Sequence, residues 1–353
     1  MGKVKLEKAK RVLVIKLRHI GDVLMMTPML RALKDAMPGA EITAVVPDGM
    51  EDLLTSNPCV NEVLTFIKGG GLIEDLKLLK SLRSKKFDIA INMTEGDRGA
   101  VMCLVSGAKI RIGADPKGKG FWGKDRLFTS LVPQIWDRHR ALMDLEMVGP
   151  LGIEPANQKL ELYTSRNDDE YVRGLLKDQG IKEDEPIATV HPTSRWLFKC
   201  WNDKSVAKVI DYLQAKGLRV IMTSGPDKKE TEKAAHIASL AQTSPIDLTG
   251  LLTLGQLASI LKMSRLFFGV DSAPMHMAAA VGTPVVALFG PSDYKVWAPF
   301  TDNARVVTKK DMFPCLPCGK DGCGGSKKSD CLEAITVPEV VCAIEELLGS
   351  WDK

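Results

Sequence analysis

Short apolar runs alternate with longer, polar-striped stretches along most of the 353 residues. Arg11 to Leu17 is apolar enough for a strand buried on both faces, and a turn, Arg18 to Asp22, follows it. Val23 to Met37 then reads as a helix, with Leu24, Leu30 and Leu33 among its apolar positions, and Pro38-Gly39 stops it. The same reading gives strands at Glu41 to Pro47, Glu62 to Phe66 and Phe87 to Asn92, with a helix at Ile73 to Leu82. A second series starts near Pro186. It has strands at Ile187 to His191 and Leu218 to Thr223, helices near Lys204 to Gln214, Glu230 to Ala241 and Leu254 to Lys262, and a short extended piece at Ile246 to Leu248. Strands alternating with helices predict an α/β protein with doubly wound parallel sheets, here in two similar halves. The joint is expected within Leu151 to Arg166, and a ligand cleft is expected between the halves. The domains expected are 1–160, 161–336 and a terminal helix, 337–353, packing back towards the first domain.

The segment Leu266 to His276, running on to Val285 to Phe289, is the sharpest of these signals. An apolar strand ends at Val270, Asp271-Ser272 are good N-cap residues, and Pro274 suits a first helical turn because its missing N–H has no partner there. A helix of about Met275 to Val281 would stop at Gly282. A helix N-terminus at the carboxyl edge of a parallel sheet favours an anion such as phosphate, and His276 would add a donor.

Composition narrows the class. A hydrophobic content of 45% suits large cores, and no apolar stretch approaches the roughly 20 residues of a membrane span. The N-terminus lacks the apolar core of a signal peptide, so the cytoplasm is the expected compartment. Net charge is +4, split as +6 over residues 1–160 and −2 over the rest, which makes the first half the better host for an anionic partner. Nucleic acid is not expected, since no basic helix-turn-helix, finger or aromatic RNA-binding motif is visible.

Three ordered motifs carry a resemblance. Gly21-Asp22-Val23-Leu24-Met25-Met26-Thr27-Pro28 follows the first strand, His191-Pro192-Thr193-Ser194 precedes Arg195-Trp196-Leu197-Phe198-Lys199-Cys200-Trp201, and Val270-Asp271-Ser272-Ala273-Pro274-Met275-His276 comes late. Together they resemble the ADP-heptose:lipopolysaccharide heptosyltransferase family, glycosyltransferase family 9, over nearly the whole chain. The middle motif is similar to the type III branch, which adds a side-branch heptose to the lipopolysaccharide inner core. The resemblance implies a GT-B fold with the donor, ADP-L-glycero-D-manno-heptose, held mainly by the C-terminal domain. It also implies inversion at the anomeric carbon.

Such a transfer needs a base for the acceptor hydroxyl and electrophilic groups for the leaving diphosphate. Asp22 lies at the functional edge of its sheet, in a loop that Gly21 would let turn tightly; it is either a helix cap or the base, and the resemblance implies the base. Lys199 is a compact charge suited to phosphate, or an ordinary surface lysine; the family has a lysine at this motif position. Thr193 and Ser194 can donate to the phosphates or cap a turn. Asp271 can accept from sugar hydroxyls, or only cap its helix, and the two roles can coexist; Ser272, Ala273 and His276 join it as donor-binding candidates. Asp227 or Glu230 can bind the ribose diol, unless both are simply exposed. Leu252, in Leu251-Leu252-Thr253, resembles the residue that packs on adenine, though a buried loop position fits equally.

Arg18, His19, Arg98, Arg126, Arg138, His139 and Arg140 are candidates for an acidic inner-core acceptor at the inner membrane, or are solvated surface residues. Lys117 to Lys124 mixes glycines, cations, Phe121 and Trp122 in what reads as a mobile loop for a sugar or an anionic membrane. The helix from about Ile73, with Lys77, Lys80, Arg83, Lys85 and Lys86, can rest on phospholipid or be an ordinary amphipathic helix. Association with the cytoplasmic face of the inner membrane would be peripheral. Cys315, Cys318, Cys323 and Cys331 can form a structural zinc site, disulfides or free thiols. No cofactor is expected for catalysis, because no Asp-x-Asp motif is present. The rival readings are a catalytically silent nucleotide-sugar-binding protein, an enzyme of the same fold using another nucleotide sugar, and a dehydrogenase. The last is disfavoured because the turn after the first strand lacks G-x-G-x-x-G.

Overall fold

Residues 9–349 are described by a computed structural model. The expected first and last segments therefore extend, at residues 1–8 and 350–353, outside the described residues. The chain divides into two compact units, Met1–Tyr163 and Thr164–Lys353. At the division the Tyr163 hydroxyl accepts from Arg31 and donates to Glu161, both of the first unit. Thr164 accepts from Lys262, and Ser165 caps the helix Arg166–Asp178.

The first unit holds six parallel strands, β1 Arg11–Ile15, β2 Glu41–Pro47, β3 Glu62–Phe66, β4 Ile89–Asn92, β5 Ile110–Ala114 and β6 Ser130–Val132. Their order is β3-β2-β1-β4-β5-β6. The second unit holds β7 Ile187–His191, β8 Arg219–Met222, β9 Ile246–Asp247, β10 Leu266–Val270, β11 Val285–Phe289 and β12 Ala304–Thr308, ordered β12-β11-β10-β7-β8-β9. Read from β9, this is the same 3-2-1-4-5-6 winding. The winding reverses between β1 and β4, and again between β7 and β10, and ligands of doubly wound sheets bind at the carboxyl ends of such strand pairs.

Every residue of β7, β10 and β11 is buried, because helices cover both faces and the strands need no polar side. Trp201 anchors this core, its ring edge-on to Phe268 at 6.3 Å and its Nε1 donating to the Ile335 carbonyl.

Some expectations need correction. The single helix Val23 to Met37 is two, Ile20–Met25 and Thr27–Ala36, with Pro28 in the first turn of the second, where its absent N–H removes no helical bond. The first begins early enough to take Gly21 and Asp22 into its opening turn, so neither is in a loop. The strands β5, β6 and β12 were not expected; β6 has three residues and β12 is half-buried throughout, so neither shows a long apolar run. The terminal helix Val337–Leu348 sets Val340, Ala343, Ile344 and Leu347 into the core of the second unit and packs on β12 and the helix Asp203–Ala215. It is part of that unit, since its apolar stripe is already covered there.

Candidate functional site

In the first unit, the chain leaving β1 passes Lys16, Arg18 and His19 before the helix Ile20–Met25. Asp22 is 5% exposed and its Oδ2 accepts the backbone N–H of His19 at 3.4 Å, so the carboxylate does cap its helix. Lys16 is fully buried, with Nζ 2.7 Å from Asp144 Oδ2, and Arg140 lies 2.7 Å from the other oxygen of that carboxylate. Sequence reasoning missed Lys16 and Asp144, which are 128 positions apart; a lysine in an otherwise apolar strand run was the available signal.

The expected acceptor residues are scattered over the first unit. Arg18 pairs with Glu95 at 3.3 Å, Arg98 lies over the Phe66 ring at 5.1 Å, and Arg126 lies over Trp122 at 5.2 Å. Arg138 is held by Asp137 and Glu146, and buried His139 accepts the Ala141 N–H on Nδ1, so both make local structural contacts. Arg140 is buried against Asp144 and the Trp136 ring. The loop Lys117 to Lys124 is tied at both ends: Lys117 donates to the Gln134 carbonyl, and Lys124, 3% exposed, reaches the Glu95 carbonyl and Asp97. Trp122 remains 89% exposed.

The second unit gathers its candidates at the carboxyl ends of β7 and β10. Thr193 and Ser194 follow β7 and are buried, and Thr193 Oγ1 donates to Glu230 Oε2 at 2.8 Å. Glu230 is buried, whereas Asp227 is exposed and its carboxylate is taken up by the Lys229 N–H as the cap of the helix Lys228–Leu240. Of the two carboxylates expected near a ribose, Glu230 is therefore the buried one. Leu252 is half-buried and packs against the core cluster that holds Val172 and Ile260, in keeping with the buried-loop alternative, while Leu251 is 69% exposed.

Lys199 ends a short 3-10 turn, Leu197–Lys199. Its ammonium lies 2.6 Å from Asp271 Oδ2 and 5.0 Å from the centre of the Trp196 ring, so it is neither a free surface lysine nor far from the late motif. Asp271 directly follows β10, and the helix Ala273–Val281 opens after Ser272 with no side-chain cap. The Ser272 hydroxyl turns back to the Val270 carbonyl, and His276 is buried in the helix. Gly282 ends that helix at φ 87°, the left-handed conformation that glycine adopts without strain. His191 is buried with Nδ1 2.9 Å from Thr223 Oγ1, and burial pushes its imidazole down to about 4.

Of the readings open to the late cysteines, the structure has free thiols. Cys315 is exposed, Cys331 is buried with its thiol pushed up to about 11 mainly by burial, and among the described residues no group of three or more His, Cys, Asp or Glu is placed to hold a metal. Cys331 is turned into the core by the short helix Asp330–Glu333, where Leu332 also packs. No helix among the described residues is long and apolar enough to cross a membrane.

Comparison with known proteins agrees with this geometry. The model of Glycosyltransferase family 9 (heptosyltransferase) matches residues 76–328. Lipopolysaccharide heptosyltransferase 3 of Escherichia coli K12 is 34% identical over 340 residues, covering 94% of this chain and 96% of the relative. The crystal structure of a family 9 glycosyltransferase from Veillonella parvula superimposes with a TM-score of 0.86 at 26% identity, over 99% of both chains. The E. coli ADP-heptose lps heptosyltransferase II does so with a TM-score of 0.79 at 22% identity, over 97% of this chain and 100% of that one, and shows the same GT-B fold. With the twin 3-2-1-4-5-6 sheets and the Thr193, Lys199, Glu230 and Asp271 constellation, these matches place the chain in glycosyltransferase family 9, the heptosyltransferases, as a GT-B glycosyltransferase.

Proposed function

We propose that this enzyme moves heptose from ADP-L-glycero-D-manno-heptose to the inner core of lipopolysaccharide, as a type III core heptosyltransferase, with inversion at the anomeric carbon. Asp22 takes the proton of the acceptor hydroxyl as its oxygen attacks C1. The C1–O bond to the diphosphate breaks, and ADP leaves with the bonding electrons. Lys199 and the uncapped N-terminus of the helix Ala273–Val281 stabilise the charge that develops on the diphosphate. Those cationic groups are the protein's own, so the scheme needs no metal. Asp271 orients the Lys199 ammonium and accepts from the sugar, Ser194 donates to phosphate, and Glu230, held by the Thr193 hydroxyl, accepts from the ribose hydroxyls.

The observation that carries the reading is the Lys199–Asp271 pair, 2.6 Å apart at the carboxyl end of β10 beside that helix start. The Lys199 ammonium and the helix start offer an anion the positive charge that Asp271 alone would withhold. Acceptor-dependent ADP release tests the scheme. Asp22→Asn is expected to lower it by about 10²–10⁴-fold, the range of a general base. Release without acceptor dependence, or an undiminished Asp22→Asn enzyme, would overturn it; tight donor binding without release would point to a silent nucleotide-sugar-binding protein.

Peripheral contact with the inner membrane fits an acceptor anchored there. It is supported by the helix Gly71–Ser84, where Leu72, Ile73 and Leu76 are 81%, 69% and 63% exposed next to Lys77 and Lys80. Apolar side chains beside lysines suit an anionic bilayer surface. Vesicles containing anionic lipid should retain the protein, and Leu72→Ser/Ile73→Ser should release it; equal retention of both forms would refute this contact.

A further inference from the structure

The turn that carries Lys199 is short and poorly covered. Leu197–Lys199 is a single 3-10 turn closed by two backbone bonds, from the Lys199 N–H to the Trp196 carbonyl and from the Cys200 N–H to the Leu197 carbonyl. Trp196 and Leu197 are 44% and 39% exposed, so packing holds the entry to the turn only weakly. A lone 3-10 turn has poor hydrogen-bond geometry and needs support from outside. Lys199 nevertheless keeps its ammonium 2.6 Å from Asp271.

The support comes from a segment 131 positions further along the chain. The buried Ser329 hydroxyl donates to the Phe198 carbonyl at 2.6 Å, one residue before Lys199. Beyond the turn, Trp201 Nε1 donates to the Ile335 carbonyl at 3.2 Å. Residues 329–335 thus grip the chain on both sides of Lys199 and Cys200. That stretch is itself firmly seated. Leu332 and Ile335 share the core with Trp201, and a Cβ added to Gly290, which follows β11, would meet Leu332 Cγ at 2.6 Å. Ser329 also forgoes its local role. It stands at the N-cap of the helix Asp330–Glu333, where a serine hydroxyl ordinarily accepts an N–H of the first turn, yet it makes no side-chain cap.

Resting on the assignment of Lys199 to the leaving diphosphate, we infer that Ser329 is a positioning residue for the transfer, its hydrogen bond to the Phe198 carbonyl fixing the turn that aims the Lys199 ammonium. Ser329 itself touches no substrate. Its effect passes through Lys199, and misplacing such a group by about 1 Å is enough to cost about 10²-fold in rate. The anchor is suited to the task because it belongs to the packed core, whereas the turn it holds does not.

A double-mutant cycle in acceptor-dependent ADP release tests the inference. Ser329→Ala should lower kcat by about ten- to a hundredfold while leaving the KM for acceptor unchanged. Placed in a Lys199→Met background, the same substitution should change kcat by less than about threefold, because the group it aims is already gone. A merely structural bond would cost the same factor in both backgrounds. That additive result overturns the inference, as does an undiminished Ser329→Ala enzyme. If Ser329→Ala fails to fold, Ser329→Cys, which keeps the size of the side chain but donates weakly, is carried through the same cycle and decides. Failure of the underlying assignment has a different signature. Lys199→Met alone then keeps its kcat and both statements fall, whereas an impaired Lys199→Met with additive losses removes Ser329 only.

Discussion

Replacing His191 by glutamine should make the second unit markedly less sensitive to acid. The ring is buried at the end of β7, with Thr223 its hydrogen-bond partner at 2.9 Å, and burial pushes the imidazole down from 6.5 to about 4. In the unfolded chain an imidazole takes its proton as pH falls through the ordinary value, while the folded ring stays neutral until about 4. The unfolded state therefore binds more protons in that window. Stability is complete above 6.5 and is lost as pH falls towards the folded value. With these two midpoints the loss between about pH 7.5 and 4.5 is about 2–3 kcal/mol from this one group. Urea titrations at both pH values, followed through the fluorescence change as buried Trp201 is exposed, measure it. Wild type should lose about 2–3 kcal/mol more than His191→Gln across the interval. Equal losses would show that the ring is not held neutral by burial, and the reasoning would fail.

Three other outcomes are expected. Lys199→Met should lower ADP release by roughly 10²–10³-fold, as removal of a group that stabilises transition-state charge does; steady-state kinetics within threefold of wild type would exclude Lys199 from the leaving-group site. Gly269→Ala should destabilise the second unit by about 1–3 kcal/mol, because the new Cβ would lie 2.8 Å from the His191 carbonyl oxygen, which belongs to a neighbouring strand and cannot rotate away. An unchanged urea midpoint would contradict that packing. Protein purified without chelators should carry well under one equivalent of zinc or iron by elemental analysis, and a stoichiometric metal would mean that Cys315, Cys318, Cys323 and Cys331 rearrange into ligands.

The buried strands were the most legible part of the chain. Ile187–His191, Glu41–Pro47 and Val285–Phe289 have the bounds that their β-branched runs suggest. A strand covered on both faces has no polar position to blur its ends, whereas half-buried β12 and three-residue β6 offer no such run. Helix starts were harder to read. Asn202 and Asp227 cap their helices through side chains, but Ser272 does not mark its helix with a side-chain cap bond, and the helices after His19 and Ser272 both begin earlier than the apolar periodicity implies.

The site was readable where one motif supplied both neighbours, and obscure where neighbours come from distant segments. Thr193 lies beside Glu230, Lys199 beside Asp271, and Lys16 beside Asp144, at separations of 37, 72 and 128 residues. Local patterning carries no information on which motifs meet, and the parallel winding that joins them is a property of the sheet. Asp22 shows the consequence most clearly. Its sequence context left capping and proton abstraction as alternatives, but a carboxylate that receives the His19 N–H is thereby fixed in orientation. The cap restrains the rotamer, and a restrained carboxylate with a lone pair free of that bond is what a general base requires, so the two roles reinforce one another.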